Sequence, residues 1–172
     1  MGRLDRIRSS DKITLSMNQA VAIASGPPSA DTETRLAIAL ARGISRTLAD
    51  QGYGTLVEFS LNNGRRADVI GLDGAGRFVI VEIKTSEADF RADRKWPEYR
   101  AHCDLFYFAV PVGFPQAILP PDCGLMVADA YAAAVIRESE EIPMNGSRRR
   151  AQVLRFGLVA SERLQRLADP RL

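Results

Sequence analysis

The run RFVIVEIK, residues 77–84, decides how this sequence is interpreted. Its first half is apolar at every position after Arg77, which is typical of a central strand covered on both faces of a sheet. Side chains two apart in a strand share a face, so Ile80, Glu82 and Lys84 point the same way. That face begins apolar and ends with a carboxylate and an ammonium group. The pattern predicts either a salt-bridged strand end or an active site.

Two further strand-like runs precede this one, at residues 55–61 and 66–72. The turns at residues 62–64 and 73–76 are short and rich in residues that tolerate positive φ. Short turns join antiparallel neighbours, so the three runs predict a meander. A helix at residues 31–51 is expected before them, capped by Ser29 or Asp31, because apolar side chains recur there at helical spacing.

Helical and strand patterns alternate beyond the central strand. A second helix is expected near Ser86, with Asp89 as its capping partner and Pro97 breaking or restarting it. Strands are expected at residues 105–110 and 125–128, while residues 132–136 fit either a strand or a helix. A last helix, capped by Ser147, is expected to reach about Leu167. The order helix, three strands, helix, strand predicts an α/β fold, a mixed sheet flanked by helices.

The composition is that of one ordinary domain. The chain has 172 residues, of which 46% are hydrophobic and 26% charged, with a net charge of +2. These values exclude a disordered acidic chain and a disulfide miniprotein, and no apolar run approaches the ~20 residues of a membrane span. We divide the chain into a weakly ordered tail at 1–28, a domain at 29–146 and a C-terminal helix packed on it at 147–172. Cys103 and Cys123 are expected to be buried thiols, as in a cytoplasmic protein.

Asp68 supplies a second carboxylate near the charged strand end. It lies on the preceding strand, and the turn at residues 73–76 should place it across from Glu82 or within a couple of residues of it. Two carboxylates that close repel each other unless a cation lies between them. A hard divalent cation such as Mg²⁺ fits oxygen ligands of this kind. From the pattern alone, a metal site and a charged strand end both remain open.

A second acid-x-Lys triplet occurs at Asp93-Arg94-Lys95. We place it in the second helix, where positions two apart point about 200° away from each other and cannot share a site. Only Glu82 and Lys84 therefore combine this spacing with a strand and a neighbouring carboxylate.

An acid on one strand followed by Glu-x-Lys on the next resembles the PD-(D/E)XK nuclease superfamily, with a restriction-endonuclease-like core. The residues matching its motif are Asp68, Glu82 and Lys84, while Ala67 replaces the proline in the superfamily's name. Four longer segments, together within residues 31–137, resemble the MmcB family of bacterial DNA repair proteins. They are GRRAD (64–68), VEIKTS (81–86), DFRADRKWPEY (89–99) and CDLFYFAV (103–110).

This resemblance implies DNA as the substrate and Mg²⁺ (or Mn²⁺) as the cofactor. Asp68 and Glu82 would hold the metal ion, Lys84 would orient the attacking water or stabilise charge on phosphorus, and Glu33 would be a further ligand from the first helix. Lys95 would contact a phosphate from the second helix, or else pair with Glu98. The implied partners are DNA and, as nucleases of this fold often pair, a second copy or repair proteins, with no membrane. The alternative is a DNA-binding module that keeps the fold and does not cleave.

Two groups of arginines have open interpretations. Arg65 and Arg66 flank the expected metal site, where they would position a phosphodiester; the alternative is pairing with Asp68 or Glu58. The run at residues 148–150 opposes the dipole of the last helix, which a DNA phosphate would relieve. The alternative for this run is a solvated charged face.

Overall fold

A computed structural model describes residues 29–170, so the expected tail at 1–28 lies outside the described residues. The helices are α1 (Ala30–Asp50), α2 (Glu87–Ala92) and α3 (Gly146–Ala168). The strands are β1 (Gly54–Ser60), β2 (Arg66–Leu72), β3 (Phe78–Ile83), β4 (Leu105–Pro111), β5 (Gly124–Ala128) and β6 (Ala133–Arg137). Two short 3-10 segments, Trp96–His102 and Gln116–Ile118, complete the described part.

The six strands form one mixed sheet in the order β1-β2-β3-β4-β5-β6. The first three are antiparallel, which confirms the predicted meander. β4 pairs parallel to β3 and β5 parallel to β4, because each connection crosses over the sheet instead of turning tightly. β6 closes the sheet antiparallel to β5, so the segment that fitted either a strand or a helix is a strand. The α/β class is confirmed.

β3 lies at the centre of the sheet, and all six of its residues are buried. On one face, Ile44 and other apolar residues of α1 pack against Val79 and Val81. On the other face, Phe156 of α3 packs against Phe78, with ring centroids 6.0 Å apart. The apolar first half of β3 therefore holds both helical layers, while its charged end emerges at the edge of the core.

The helix ends confirm two capping predictions and correct one. Ser29 caps α1, and the hydroxyl of Ser86 caps α2 by accepting from the backbone N–H of Asp89. α3 is capped by Asn145, whose side chain accepts from Ser147 and Arg148, so the prediction of Ser147 as the cap was wrong. Asn is among the best N-caps, and it takes this role two residues earlier than we expected.

Several smaller expectations also have an outcome. Cys103 and Cys123 are buried free thiols, as expected. α2 is only six residues long, and Pro97 lies in the first turn of the separate 3-10 segment. Among residues 29–170, none of the helices combines the length and the apolar character needed to cross a membrane.

Asp104 connects the start of β3 with the C-terminal part of the domain. Its carboxylate, 2% exposed, accepts hydrogen bonds from the backbone of Phe78 at 2.7 Å and of Met144 at 2.9 Å. Arg149 of α3 pairs with it at 2.5 and 2.9 Å. Burial alone would raise the pKa of Asp104, but the bonds from Arg149 and the two backbone N–H groups outweigh burial and lower it. β3, the loop before α3 and α3 itself thus share one anchor.

We expect Asp104→Ala to lower the free energy of unfolding by about 3 kcal/mol, because it leaves Arg149 and two backbone donors without their acceptor. Glu141→Ala, which removes an exposed partner of Arg77, should cost less than about 1 kcal/mol. Urea denaturation of both variants measures the difference. Equal losses would contradict the role of Asp104 as an anchor.

Candidate functional site

The register of β2 and β3 brings Asp68 to the charged end of β3. Val69 pairs with Val81, and the ladder stops there. Asp68 precedes Val69 in β2 and continues the contact through its side chain. Its carboxylate accepts a hydrogen bond from the backbone N–H of Ile83 at 2.7 Å. Asp68 therefore lies alongside Glu82, as the short turn between the strands predicted.

Lys84 is buried between two carboxylates. Its ammonium group is 3.2 Å from Oε1 of Glu82 and 2.8 Å from Oδ2 of Asp93, and the residue is only 3% exposed. Asp93 is the C-cap residue of α2 and follows its last residue, Ala92. The end of the central strand and the end of α2 are thus joined through one ammonium group.

Asp93 is the member of this cluster that the sequence interpretation missed. Our placement of Asp93 and Lys95 inside the second helix was wrong, because α2 ends at Ala92 and Asp93 has an extended backbone. The carboxylate of Asp93 also accepts from the backbone N–H of Lys95 at 2.7 Å. Pro97 was the available signal, since a proline favours the first turn of a new helical segment, which is where it lies in Trp96–His102, and so indicates that the second helix ends before it.

The electrostatics of this cluster raise the pKa of Glu82 and Asp68, and they favour the charged forms of Lys84 and Asp93. Burial, and then the charge of Asp68, raises the pKa of Glu82. Burial also raises the pKa of Asp68, and the N–H of Ile83 and the charge of Lys84 offset only part of that rise. Burial alone would lower the pKa of Lys84, but Glu82 and Asp93 outweigh it and hold that pKa above its usual value. Lys84 is therefore an ammonium ion at neutral pH.

One buried carboxylate oxygen has no partner. Oε2 of Glu82 makes no hydrogen bond within the described part of the chain, although a buried polar atom normally has one. Glu82 itself lines a pocket of about 280 Å³, which we call the carboxylate cleft. The polar residues that line the cleft are Glu33, Thr34, Asp68, Glu82, Lys84, Thr85 and Asp89.

The donor set of the carboxylate cleft fits a hard divalent cation. Asp68 and Glu82 offer carboxylate oxygens side by side, one of them unsatisfied, and Glu33 lines the same cleft. Within residues 29–170, no three acidic, histidine or cysteine side chains are arranged to enclose an ion by themselves. Mg²⁺ commonly keeps several water or phosphate ligands, so two converging carboxylates are compatible with it.

The basic residues singled out in the sequence are placed differently from one another. Arg65 forms a two-pronged pair with Glu98, at 2.7 and 2.9 Å, which is neither of the pairings we considered for it. Arg66 pairs with Glu58 at 2.6 Å, as one of the alternatives had it. Because Glu98 is held by Arg65, it does not pair with the exposed Lys95.

The arginine run at residues 148–150 is not one charged patch. Arg148 donates to the carbonyl of Ala101, and Arg149 binds Asp104 and the carbonyl of Gly76. These contacts hold α3 against the rest of the domain, which favours a structural role for both guanidinium groups, and a DNA contact by the run stays a prediction. Arg150 is exposed.

Glu82→Gln tests the electrostatics of the cluster in metal-free protein. A raised pKa means that folded protein binds this proton more tightly than the unfolded chain does. The contribution of Glu82 to the free energy of unfolding is therefore fully present below about pH 4, near the usual pKa of a glutamic acid. It is lost as the pH rises toward the raised pKa of Glu82. We expect the variant to be more stable than the wild type at about pH 8 and to show a weaker pH dependence.

Urea titrations across this pH range, with Glu140→Gln as the exposed control, measure both effects. A parallel pH dependence of Glu82→Gln and the wild type would show that Glu82 is not the group responsible.

Comparisons with known proteins agree with this organisation. The chain is 41% identical to the SPO1766 protein of unknown function from Silicibacter pomeroyi, with a TM-score of 0.75, over 77% of this chain and 90% of that one. No protein with a curated function matches it. The family described as DNA repair protein MmcB-like matches residues 25–171, which extends the resemblance through α3 and includes every residue of the cleft. The chain therefore belongs to the MmcB-like DNA repair protein family, and this membership indicates a role in DNA repair.

Proposed function

We propose that this protein is a metal-dependent DNA endonuclease that acts in DNA repair. The observation that carries the proposal is the unpartnered Oε2 of Glu82, buried beside Asp68 and next to the fixed ammonium group of Lys84. A purely structural ion pair would leave no carboxylate oxygen unsatisfied, since an orphaned buried acceptor costs about 1–3 kcal/mol. A cation would satisfy it.

Asp68 and Glu82 would hold Mg²⁺ or Mn²⁺, with water or phosphate as the remaining ligands; Glu33 lines the same cleft but does not complete a group of three ligands with them. When bound, such an ion polarises a phosphoryl oxygen and activates water for hydrolysis of a phosphodiester. The carboxylates must be ionised to bind it, and their raised pKa values mean that metal binding releases protons.

Lys84 would stabilise the negative charge that develops on the phosphoryl oxygens. Its two short contacts, to Glu82 and Asp93, fix the ammonium group at the cleft before DNA arrives. A pre-positioned charge in a site that excludes water costs no reorganisation when the reaction occurs. Because its pKa is raised, Lys84 acts here as a cation and not as a base that takes the proton of water.

Lys95 would bind the DNA backbone at the edge of the cleft. It is exposed, and its backbone N–H contacts the same carboxylate that holds Lys84. Arg65 and Arg66 would exchange Glu98 and Glu58 for phosphates. Ion pairs at the surface contribute about 1 kcal/mol or less to stability, so little free energy is lost when these arginines exchange a carboxylate for a phosphate.

The second candidate is a DNA-binding module in repair that does not cleave. The ion pair between Lys84 and Glu82 favours it, because this pair neutralises part of the site without a metal ion. The two candidates differ in one result: only an endonuclease cuts DNA in a metal-dependent way.

Lys84→Met tests the endonuclease proposal. We expect it to lower the cleavage rate about 100-fold or more, because it removes the fixed positive charge from the reacting phosphate. The assay follows labelled duplex, flap, nicked and single-stranded DNA with Mg²⁺, with Mn²⁺ and with EDTA. Lys95→Met is the matched control; we expect weaker binding and a salt slope lower by about one, at a nearly unchanged maximal rate.

Folding of Lys84→Met is verified by its melting temperature and by retained DNA binding. Cleavage that survives in this variant, or that persists in EDTA, contradicts the mechanism. DNA binding by the wild type, with no form of DNA cut under any metal, identifies the binding module instead.

Asp68→Asn separates metal binding from DNA binding. We expect it to abolish cleavage while DNA affinity stays equal or increases, since the substitution removes a negative charge that repels phosphate. Fluorescence anisotropy at several salt concentrations gives the affinity. A large loss of affinity together with cleavage would mean that Asp68 serves the fold or the DNA contact instead of the metal ion.

A further inference from the structure

An apolar groove of about 660 Å³ runs along α1 beside β1. Such a volume is in the range of about 300–1,000 Å³ found for small-molecule sites. Ile38 is 66% exposed and Val57 39% exposed, so both offer apolar surface to a ligand. We call this feature the α1 groove; its apolar lining comes from Ala37, Ile38, Ala41, Ala49, Val57 and Ile83.

The α1 groove opens directly into the carboxylate cleft. The two share Thr34, Ala37, Asp68 and Ile83 in their walls. A ligand with a phosphate at the carboxylates would therefore have its adjacent group at the mouth of the groove. The groove is thus continuous with the site to which we assign the chemistry.

The rim of the α1 groove is cationic. Arg42 and Arg46 are exposed and line it one helical turn apart. Within residues 29–170 neither has an ion-pair partner, and Arg42 donates only to the carbonyl of Ala130, at 3.2 Å. Of the two acidic residues in the walls of the groove, Glu58 is paired with Arg66, and Asp68 also lines the carboxylate cleft. An apolar floor with a cationic rim complements a group that is flat and apolar but carries phosphate.

A peptide strand added to β1 is a poorer occupant. The carbonyls of Val57 and Glu58 already accept from Arg163 of α3, and the carbonyl of Ser60 accepts from Arg155. These guanidinium groups cover backbone acceptors that an added strand would need.

We propose that the α1 groove receives an unpaired nucleotide of the DNA strand whose backbone crosses the carboxylate cleft. Continuous duplex buries the faces of its bases in the stack and presents phosphates, sugars and base edges, so it offers no base face to the groove. The inference rests on the proposed function and defines its substrate class: DNA with at least one unpaired base, such as a bulge, flap or single strand.

The experiment compares two oligonucleotides that differ only in whether one 2-aminopurine is bulged or paired. Binding is measured by anisotropy with Ca²⁺ in place of Mg²⁺, using the full chain. We expect the bulged form to bind about tenfold more tightly, with a change in 2-aminopurine fluorescence. Ile38→Ser and Arg46→Ala should each reduce this preference at least about threefold.

The chain offers a matched control for each variant. Leu154 on α3 is 63% exposed against 66% for Ile38, so Leu154→Ser removes a comparable apolar side chain that does not line the groove. Arg150→Ala on α3 removes an exposed arginine in the same way. Both controls should keep the full preference for the bulged form.

Equal affinity for the two oligonucleotides overturns the inference, as does a preference that Ile38→Ser and Arg46→Ala leave unchanged.

Two results would assign the groove to another occupant and overturn the inference too. One is a shift in oligomeric state caused by Ile38→Ser, with DNA preference unchanged, which would indicate a second copy. The other is new protease cleavage within residues 1–28 in that variant, which would indicate the chain's own N-terminal segment. Binding and cleavage of both DNA forms alike would leave the proposed function standing, whereas absence of any DNA binding overturns both.

Discussion

The ion pairs of the buried Lys84 ammonium group are the interactions on which the charged end of β3 depends. Three carboxylates, those of Asp68, Glu82 and Asp93, surround the end of the central strand. Burying several like charges without a cation would be very costly, and Lys84 offsets that cost only in part. The remaining deficit appears as raised pKa values at Asp68 and Glu82 and as one carboxylate oxygen without a partner.

The rest of the fold holds this cluster of buried charged groups in place. β3 has α1 packed on one face and α3 on the other, so its charged end has little freedom to relax. Asp104 and Arg149 fasten α3 from the opposite end of the strand. α1 also supplies the shared wall of the carboxylate cleft and the α1 groove, which places a charged subsite and an apolar subsite next to each other. The same helix thus contributes to the core and to the walls of both pockets.

The sequence predicted what depends on local pattern and short connections. The apolar run of β3, the tight turns and the two-residue spacing of Glu82 and Lys84 sufficed to place Asp68 beside Glu82, because an antiparallel register follows from the turn between two strands. Asp93 was missed because its position depends on where a six-residue helix ends, and helix ends are decided by small differences in free energy. The pairing of Arg65 with Glu98, 33 residues apart, depends on the tertiary fold and leaves no local signal. The α1 groove is likewise set by how a helix lined with alanines packs beside β1.

Calorimetric titration of Mn²⁺ in the presence of an uncleavable duplex tests the central claim, that Asp68 and Glu82 hold a divalent cation, most directly. The duplex is included because its phosphate can complete the ligand set that the two carboxylates begin. We predict saturable binding to the wild type, an unchanged affinity in the control Glu87→Gln, which does not line the cleft, and loss of binding in Asp68→Asn. Binding that is equal in Asp68→Asn and the wild type, or absent from the wild type even with the duplex, would contradict it.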